Sequence, residues 1–202
     1  MIEEFDFRKD YYLEDGCVLL RPLTIGDCKN LLVFSLHEPE LWKYSLTTAC
    51  GEENLERYIQ IALDAKKGLK EYPFIVFDKR TNRYAGCTRF YDIQLVQKTL
   101  QLGYTWYGKD FWGTGLNKRC KYLLLQFAFE NIGMERVEFR ADINNARSIA
   151  AMKSIGCIAE GVLRANTIKR DGNRRDSIVL SILKDEWERT VKENLKKKLQ
   201  EN

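Results

Sequence analysis

Residues 110–119 read DFWGTGLNKR, with Gly113 and Gly115 one residue apart and an apolar-periodic stretch directly behind them. A helix starting at this point leaves its first-turn amides without intrahelical acceptors. Those amides and the positive end of the helix dipole suit a pyrophosphate. Glycine lets the backbone come close to an anion and adopt dihedrals that side chains forbid. Lys118 and Arg119 add cationic donors. The spacing also fits a tight corner chosen for backbone geometry alone. It is neither the GxGxxG dinucleotide fingerprint nor the GxxxxGK[ST] nucleotide loop.

The elements around the turn set its use. TLQLGYTWYG (99–108) reads as a central strand that feeds the turn, and LNKRCKYLLLQFAFENIG (116–133) as the helix that leaves it. Leu116, Cys120, Leu123, Leu124 and Phe127 mark one face of that helix. Upstream, CVLLRPL (17–23) reads as an edge or outer strand stopped at Pro22. Thr24 opens a helix to about Leu36, Pro39 a short segment, and 51–68 a helix that ends at Gly68. FIVFD (74–78) and YAGCTRFY (84–91) pair with 99–108 in an antiparallel meander. Downstream come a strand at 136–141, a helix from Asn144 or Asn145 to Ser154, and strands at 159–164 and 176–183 around a 169–175 turn. Residues 1–15 form an arm or an extra helix, and 184–202 a charged C-terminal helix. With no internal repeat and no linker, one α/β domain over 1–202 is expected.

Composition narrows the class. The chain has 202 residues, 45% of them hydrophobic, and a net charge of +4, enough for one sizeable core. So small a surplus argues against a dedicated nucleic-acid binder. No run approaches the roughly 18 apolar residues of a membrane helix, and the N-terminus has no leader pattern. The six cysteines form no CxxC pair and His37 is the only histidine, so no metal site is expected. Free thiols fit a reducing, cytoplasmic setting.

LGYTWYGKDFWGTGLNKR, followed by FAFENIGMERVEFRADINNARSIAAMKSIGCIAEGVLR, resembles the GCN5-related N-acetyltransferase (GNAT) superfamily. Within it the likeness is to the group that acetylates the N-terminal alanine or serine of ribosomal proteins. It runs over roughly 15–187 and includes RPL at 21–23, NNARS at 144–148, IGCIAEG at 155–161 and RRDSIVLSILKDEW at 174–187. The resemblance implies the acyl-CoA N-acyltransferase fold: a mixed, mainly antiparallel sheet with a splayed strand pair, 102–107 and 136–141, and helices on both faces. It implies acetyl-CoA as cosubstrate, with its pyrophosphate on the amides of Gly113, Thr114, Gly115 and Leu116 and its pantetheine along the backbone near Trp106 and Tyr107. Trp112 stands where the superfamily has Arg or Gln, and Asn117 where it has Gly or Ala.

Transfer from a thioester to an amine needs amine deprotonation, carbonyl stabilisation and protonation of the departing sulphur. Asn145 and Ser148 match an N-x-x-S element, Asn145 toward the cofactor or its turn and Ser148 toward the sulphur. The same spacing also fits a helix cap. No tyrosine lies between 142 and 158, where many relatives carry a tyrosine acid. Glu138, Glu160, Asp92 and Glu38 are candidate bases, and His37 is read as solvated. Trp42, Tyr44 and Phe90 are expected on the acceptor side, and Asp176 as a tie for the 169–175 hairpin. The acceptor is a primary amine: a protein N-terminus, or alternatively a polyamine, an aminoglycoside met by Glu52, Glu53 and Glu56, or another small amine. A non-catalytic acyl-CoA binder is the reading from a different class. Monomer and homodimer both fit.

Overall fold

The computed structural model describes residues 4–200. One eight-stranded sheet organises them: β1 (Leu13–Glu14), β2 (Val18–Pro22), β3 (Tyr72–Asp78), β4 (Arg83–Gln94), β5 (Thr99–Tyr107), β6 (Arg136–Asp142), β7 (Ile158–Ile168) and β8 (Arg174–Leu183). Their spatial order is β1-β2-β3-β4-β5-β6-β8-β7. Every neighbouring pair is antiparallel except β5 and β6. The helices α1 (Cys28–His37), α2 (Glu52–Lys67), α3 (Leu116–Gln126) and α4 (Ala146–Ser154) pack around the sheet, with α5 (Lys184–Glu186) and α6 (Lys192–Gln200) at the C-terminal end.

The meander β2–β5 forms as its residue types suggest, because β3 is an almost wholly buried run, YPFIVFD, suited to the middle of a covered sheet. The parallel β5–β6 pairing covers only Thr99–Arg136, Leu100–Val137 and Gln101–Glu138. Beyond it β5 continues to Tyr107 and β6 to Asp142, so the two strands splay. On the other side of β5 the β4 register slips between Cys87–Trp106 and Arg89–Gly103. Thr88 therefore faces both Tyr104 and Thr105, a bulge, and Tyr104 takes a φ of 49° to make it.

Several details differ from expectation. Residues 4–15 anchor in the core through Phe5, Phe7 and Tyr11, which are buried. Tyr11 packs on Phe127 and Tyr72, and its N–H donates to the Tyr72 hydroxyl at 3.1 Å. Leu13 and Glu14 then pair with Leu20 and Leu19, so β2 is not the sheet edge. Residues 1–3, 201 and 202 lie outside the described residues. The helix expected to run to 133 widens at Phe127–Asn131 into a π turn. Phe127, Ala128 and Phe129 all reach the core there, with the phase of the helix changed by the wider turn. A second π turn, Trp187–Val191, breaks the C-terminal helix.

Gly86 is the tightest point under the splayed strand. Its φ is +152°, and an added Cβ would lie 2.1 Å from the Trp106 carbonyl oxygen. We expect Gly86→Ala to cost roughly 3 kcal/mol or more in chemical denaturation and to weaken ligand binding in the splayed gap. A loss below about 1 kcal/mol would mean that β5 shifts freely.

Candidate active site

The splay opens a cleft of about 530 Å³ between β5 and β6, running from the glycine turn past α4 to the 41–46 segment. At one end lies the start of α3. Gly115 is its N-cap with φ 81°, and Gly113 has φ 74° and open space where a Cβ would be. Both dihedrals favour glycine. Thr114 locks the turn, its hydroxyl donating to the Phe111 carbonyl at 2.8 Å and its carbonyl accepting from Arg80 at 3.0 Å. Among the described residues the first-turn amides of α3 find one weak acceptor, Thr114 Oγ1, at 3.4 Å from the Leu116 nitrogen. The others have no partner among those residues, as an anion cradle requires.

Trp112 has a defined task. Its indole N–H donates to the Tyr107 carbonyl at 2.8 Å. The Arg147 guanidinium lies 3.5 Å from its ring centroid. The side chain thus fastens the turn to the end of β5 and to α4 through a cation–π contact. Asn117 lines the cleft one residue into α3. Trp106 and Tyr107 bury their side chains and border the cleft.

Asn145 caps α4, its Oδ1 accepting from the Ser148 N–H at 3.1 Å. The cap fixes where Ser148 sits but uses only its backbone. The Ser148 side chain lines the cleft and its hydroxyl has no hydrogen-bond partner among the described residues.

The expected bases lie elsewhere. Glu160 and Glu138 both pair with Arg136, and Glu138 also with Arg140 at 2.7 Å. Arg136 and the Ser181 hydroxyl hold the Glu160 carboxyl down at about 2. Neither borders the cleft. Glu38 accepts from the Lys109 N–H at 2.8 Å and Asp92 from Gln101 at 2.8 Å, both outside it. His37, Glu52, Glu53 and Glu56 are exposed on helices away from the cleft. Of the expected acceptor aromatics, Tyr44 lines the cleft. Trp42 and Phe90 are fully buried beneath it; Phe90 packs edge-on against Phe74 at 5.6 Å. Tyr91, the next residue along the strand, faces the cleft instead. Asp176 ties the β7–β8 hairpin, accepting from the Ala165 N–H at 2.7 Å.

Lys121, Asp142 and Arg175 also line the cleft, and residue type alone does not distinguish them from the other charged residues. Lys121 lies on α3 beneath the bulge, with Nζ 2.8 Å from Thr105 Oγ1 and 5.9 Å from the Phe139 centroid. Thr105 also pairs with Thr88 at 2.7 Å. Burial pushes the Lys121 amine down to about 8. The available signal is helical spacing: Asn117, Lys121 and Leu124 share one face. Asp142 is buried at the end of β6 and accepts from the Asn144 backbone at 2.9 Å. Among the described residues no group of three metal-ligating side chains is found, no cysteines pair, and no helix is long and apolar enough to cross a membrane.

The profile of the family described as "Acetyltransferase (GNAT) domain" matches residues 18–158. The "Putative ribosomal N-acetyltransferase YdaF" of Bacillus subtilis (strain 168) is 31% identical over 103 residues, which span 51% of this chain and 55% of that protein. A solved structure described as a "putative acetyltransferase from T. thermophilus" is 33% identical, with a TM-score of 0.83 over 93% of this chain and 96% of the other. The fold is shared by the microcin C7 self immunity acetyltransferase MccE, solved in complex with acetyl-CoA and AMP. That match has a TM-score of 0.73 at 20% identity and covers 84% of this chain and 93% of that one. On the span of the profile match and the likeness to the T. thermophilus structure, the chain belongs to the acetyltransferase (GNAT) domain family.

Proposed function

We propose that this protein transfers the acetyl group of acetyl-CoA directly to a primary amine bound in the same cleft. The observation that carries the reading is the gap between β5 and β6, which leads without interruption to the unpartnered amides at the start of α3. Two unpaired strand edges suit a pantetheine-like amide chain, and the α3 amides suit a pyrophosphate. When bound, acetyl-CoA supplies an acyl group already activated as a thioester.

The residues divide the remaining work. Gly113, Thr114, Gly115, Leu116 and Asn117 hold the phosphates, Trp112 keeps the turn closed, and Trp106 and Tyr107 offer backbone to the pantetheine arm. The bulge at Tyr104–Thr105 re-aims backbone groups of β5 toward the gap, where the acyl carbonyl gains stabilisation. Ser148 presents a free hydroxyl for the departing sulphur. Lys121, poorly solvated beneath the bulge, adds positive potential where negative charge develops. Asp142 is the lining carboxylate available to receive the acceptor's proton, by contact or through water.

The cleft wall disfavours a polycationic acceptor. Asp142 is its one carboxylate among the described residues, against Lys118, Lys121, Arg140, Arg147 and Arg175. A polyamine or aminoglycoside would meet repulsion, so a monoamine, including a protein N-terminal amine, is the reading favoured. A non-catalytic acyl-CoA binder has less support, because Ser148, Lys121 and Asp142 line the cleft together with the α3 start.

Calorimetric titration tests the cofactor assignment. Acetyl-CoA should bind in the micromolar range, with Gly115→Val weakening it by at least about tenfold through strain at positive φ. Equal affinity in the variant would remove the pyrophosphate from residues 113–117.

Lys121→Met separates stability from catalysis. The unfolded lysine titrates near 10.5 and the folded one near 8. Between those pH values the unfolded chain binds more protons, so the Lys121 contribution makes stability rise with pH. Below pH 8 the desolvated cation costs on the order of 3 kcal/mol, and removing it leaves Thr88 and Thr105 paired with each other. The variant should therefore denature later at pH 7, lose that rise between about pH 8 and 10, and show kcat reduced roughly 10–100-fold. Unchanged kcat would exclude Lys121 from the reaction.

Ser148→Ala should reduce kcat by no more than about tenfold with acetyl-CoA affinity retained. A large loss of affinity instead would make Ser148 a binding residue.

A further inference from the structure

The guanidiniums of this protein mostly face carboxylates. Arg21 pairs with Asp27, Arg80 with Asp78, Arg89 with Glu71, and Arg136 and Arg140 with Glu138. Arg147 is stacked on Trp112. Arg175 differs. It is partly buried on β8, lines the acceptor end of the cleft, and forms no ion pair among the described residues. Its Nε donates to Ser177 Oγ at 3.0 Å, which fixes the plane of the fork. Nη1 makes a long contact of 3.4 Å to the Tyr44 carbonyl, and Nη2 has no acceptor among the described residues. The free edge borders the same space as Tyr44, Tyr91, Tyr104 and Asn166.

A partly desolvated cation with no carboxylate in direct contact is under-compensated, and a planar fork with open donors matches an oxyanion in bidentate geometry. The wall around it is held in place. Arg170, from the same hairpin, donates to the Trp42 carbonyl at 2.7 Å and joins the hairpin to the 41–46 segment. Asp142, whose charge acts on Arg175, lines the same cleft, so a cation and a carboxylate are both presented to an acceptor.

Resting on the acetyl-transfer reading, we propose that the acceptor is a small amine that carries its own oxyanion, a carboxylate or a phosphate, docked on Arg175. The oxyanion neutralises Arg175 and orients the amine toward the gap. Binding energy from this remote contact goes into alignment at the thioester.

The test uses acceptors matched except for the anion: α-amino acids against their amides, and aminoalkyl phosphates against the corresponding amino alcohols. Release of CoA from acetyl-CoA is followed for the wild type, Arg175→Met and Arg175→Lys. The anionic member of at least one pair should have a kcat/KM at least about tenfold above its neutral partner. The pair that shows this tells carboxylate from phosphate. Arg175→Met should raise KM for the anionic acceptor about tenfold or more, at least several-fold beyond its effect on the neutral partner, and Arg175→Lys should restore part of the loss. Calorimetry of the N-acetylated product with CoA-loaded protein gives an independent readout, in which the anionic product binds tighter and Arg175→Met removes the difference. Equal use of both members of every pair, equal loss with both in Arg175→Met, or no turnover of any acceptor by protein that binds acetyl-CoA would each overturn the proposal. The first two results leave acetyl transfer standing. Failure of acetyl-CoA to bind removes that reading as well.

Discussion

The parallel ladder between β5 and β6 stops after Gln101–Glu138, and the rest of the site depends on that stop. Backbone N–H and C=O groups inside a sheet are costly to leave unpaired. Here two strand edges run side by side past their last shared bond and diverge. The opening persists because each strand is fixed on its far side. β6 pairs with β8 along its whole length, Arg136–Leu183 to Asp142–Ser177, and β5 pairs with β4 through Gly86–Tyr107 and Cys87–Trp106. Closing the gap would break one of those ladders.

From this constraint the site follows by direction of travel. Parallel strands bring both C-terminal ends to the same side of the sheet. The chain leaving β5 makes the glycine turn and starts α3, while the chain leaving β6 starts α4 at Asn145. Two helix N-termini therefore converge at one end of the gap. Trp112 joins the two exits, hydrogen-bonded to the end of β5 and covered by Arg147 of α4. Lys121 is the destabilising counterpart. Placed under the bulge by α3, it has two threonine hydroxyls as partners and no carboxylate among the described residues. A buried lysine of this kind lowers stability and raises local positive potential, an exchange expected where a developing charge must be met.

What the sequence discloses and what it withholds divide along a physical line. The strand–turn–helix around 99–126 is legible because each part is local: a β-rich run, positive-φ glycines and a helical apolar stripe. Asn145 and Ser148 are legible as a cap because three-residue spacing at a helix start is itself the geometry. Phe90 and Tyr91 show the limit. Adjacent residues on a strand face opposite ways, and only the register with β3 and β5 decides which of them sees the cleft. The same holds for Trp42 and Tyr44. Glu138 and Glu160 had suitable chemistry but Arg136 occupies them, a pairing across the sheet that no local pattern encodes. Lys121, Asp142 and Arg175 reach the cleft through the splay, the bulge and the Asp142–Ser177 register, all of them long-range.

The central claim is that the unfinished ladder and the start of α3 form one binding surface for acetyl-CoA. Backbone amide chemical shifts recorded by NMR on the intact protein, with and without acetyl-CoA, test it directly. The account predicts that the largest perturbations fall together on residues 104–107, 113–118 and 139–148 and saturate at a single affinity. Perturbations confined to β7 and the C-terminal helix, or a shift at 113–118 with none along the facing edges of β5 and β6, would contradict it.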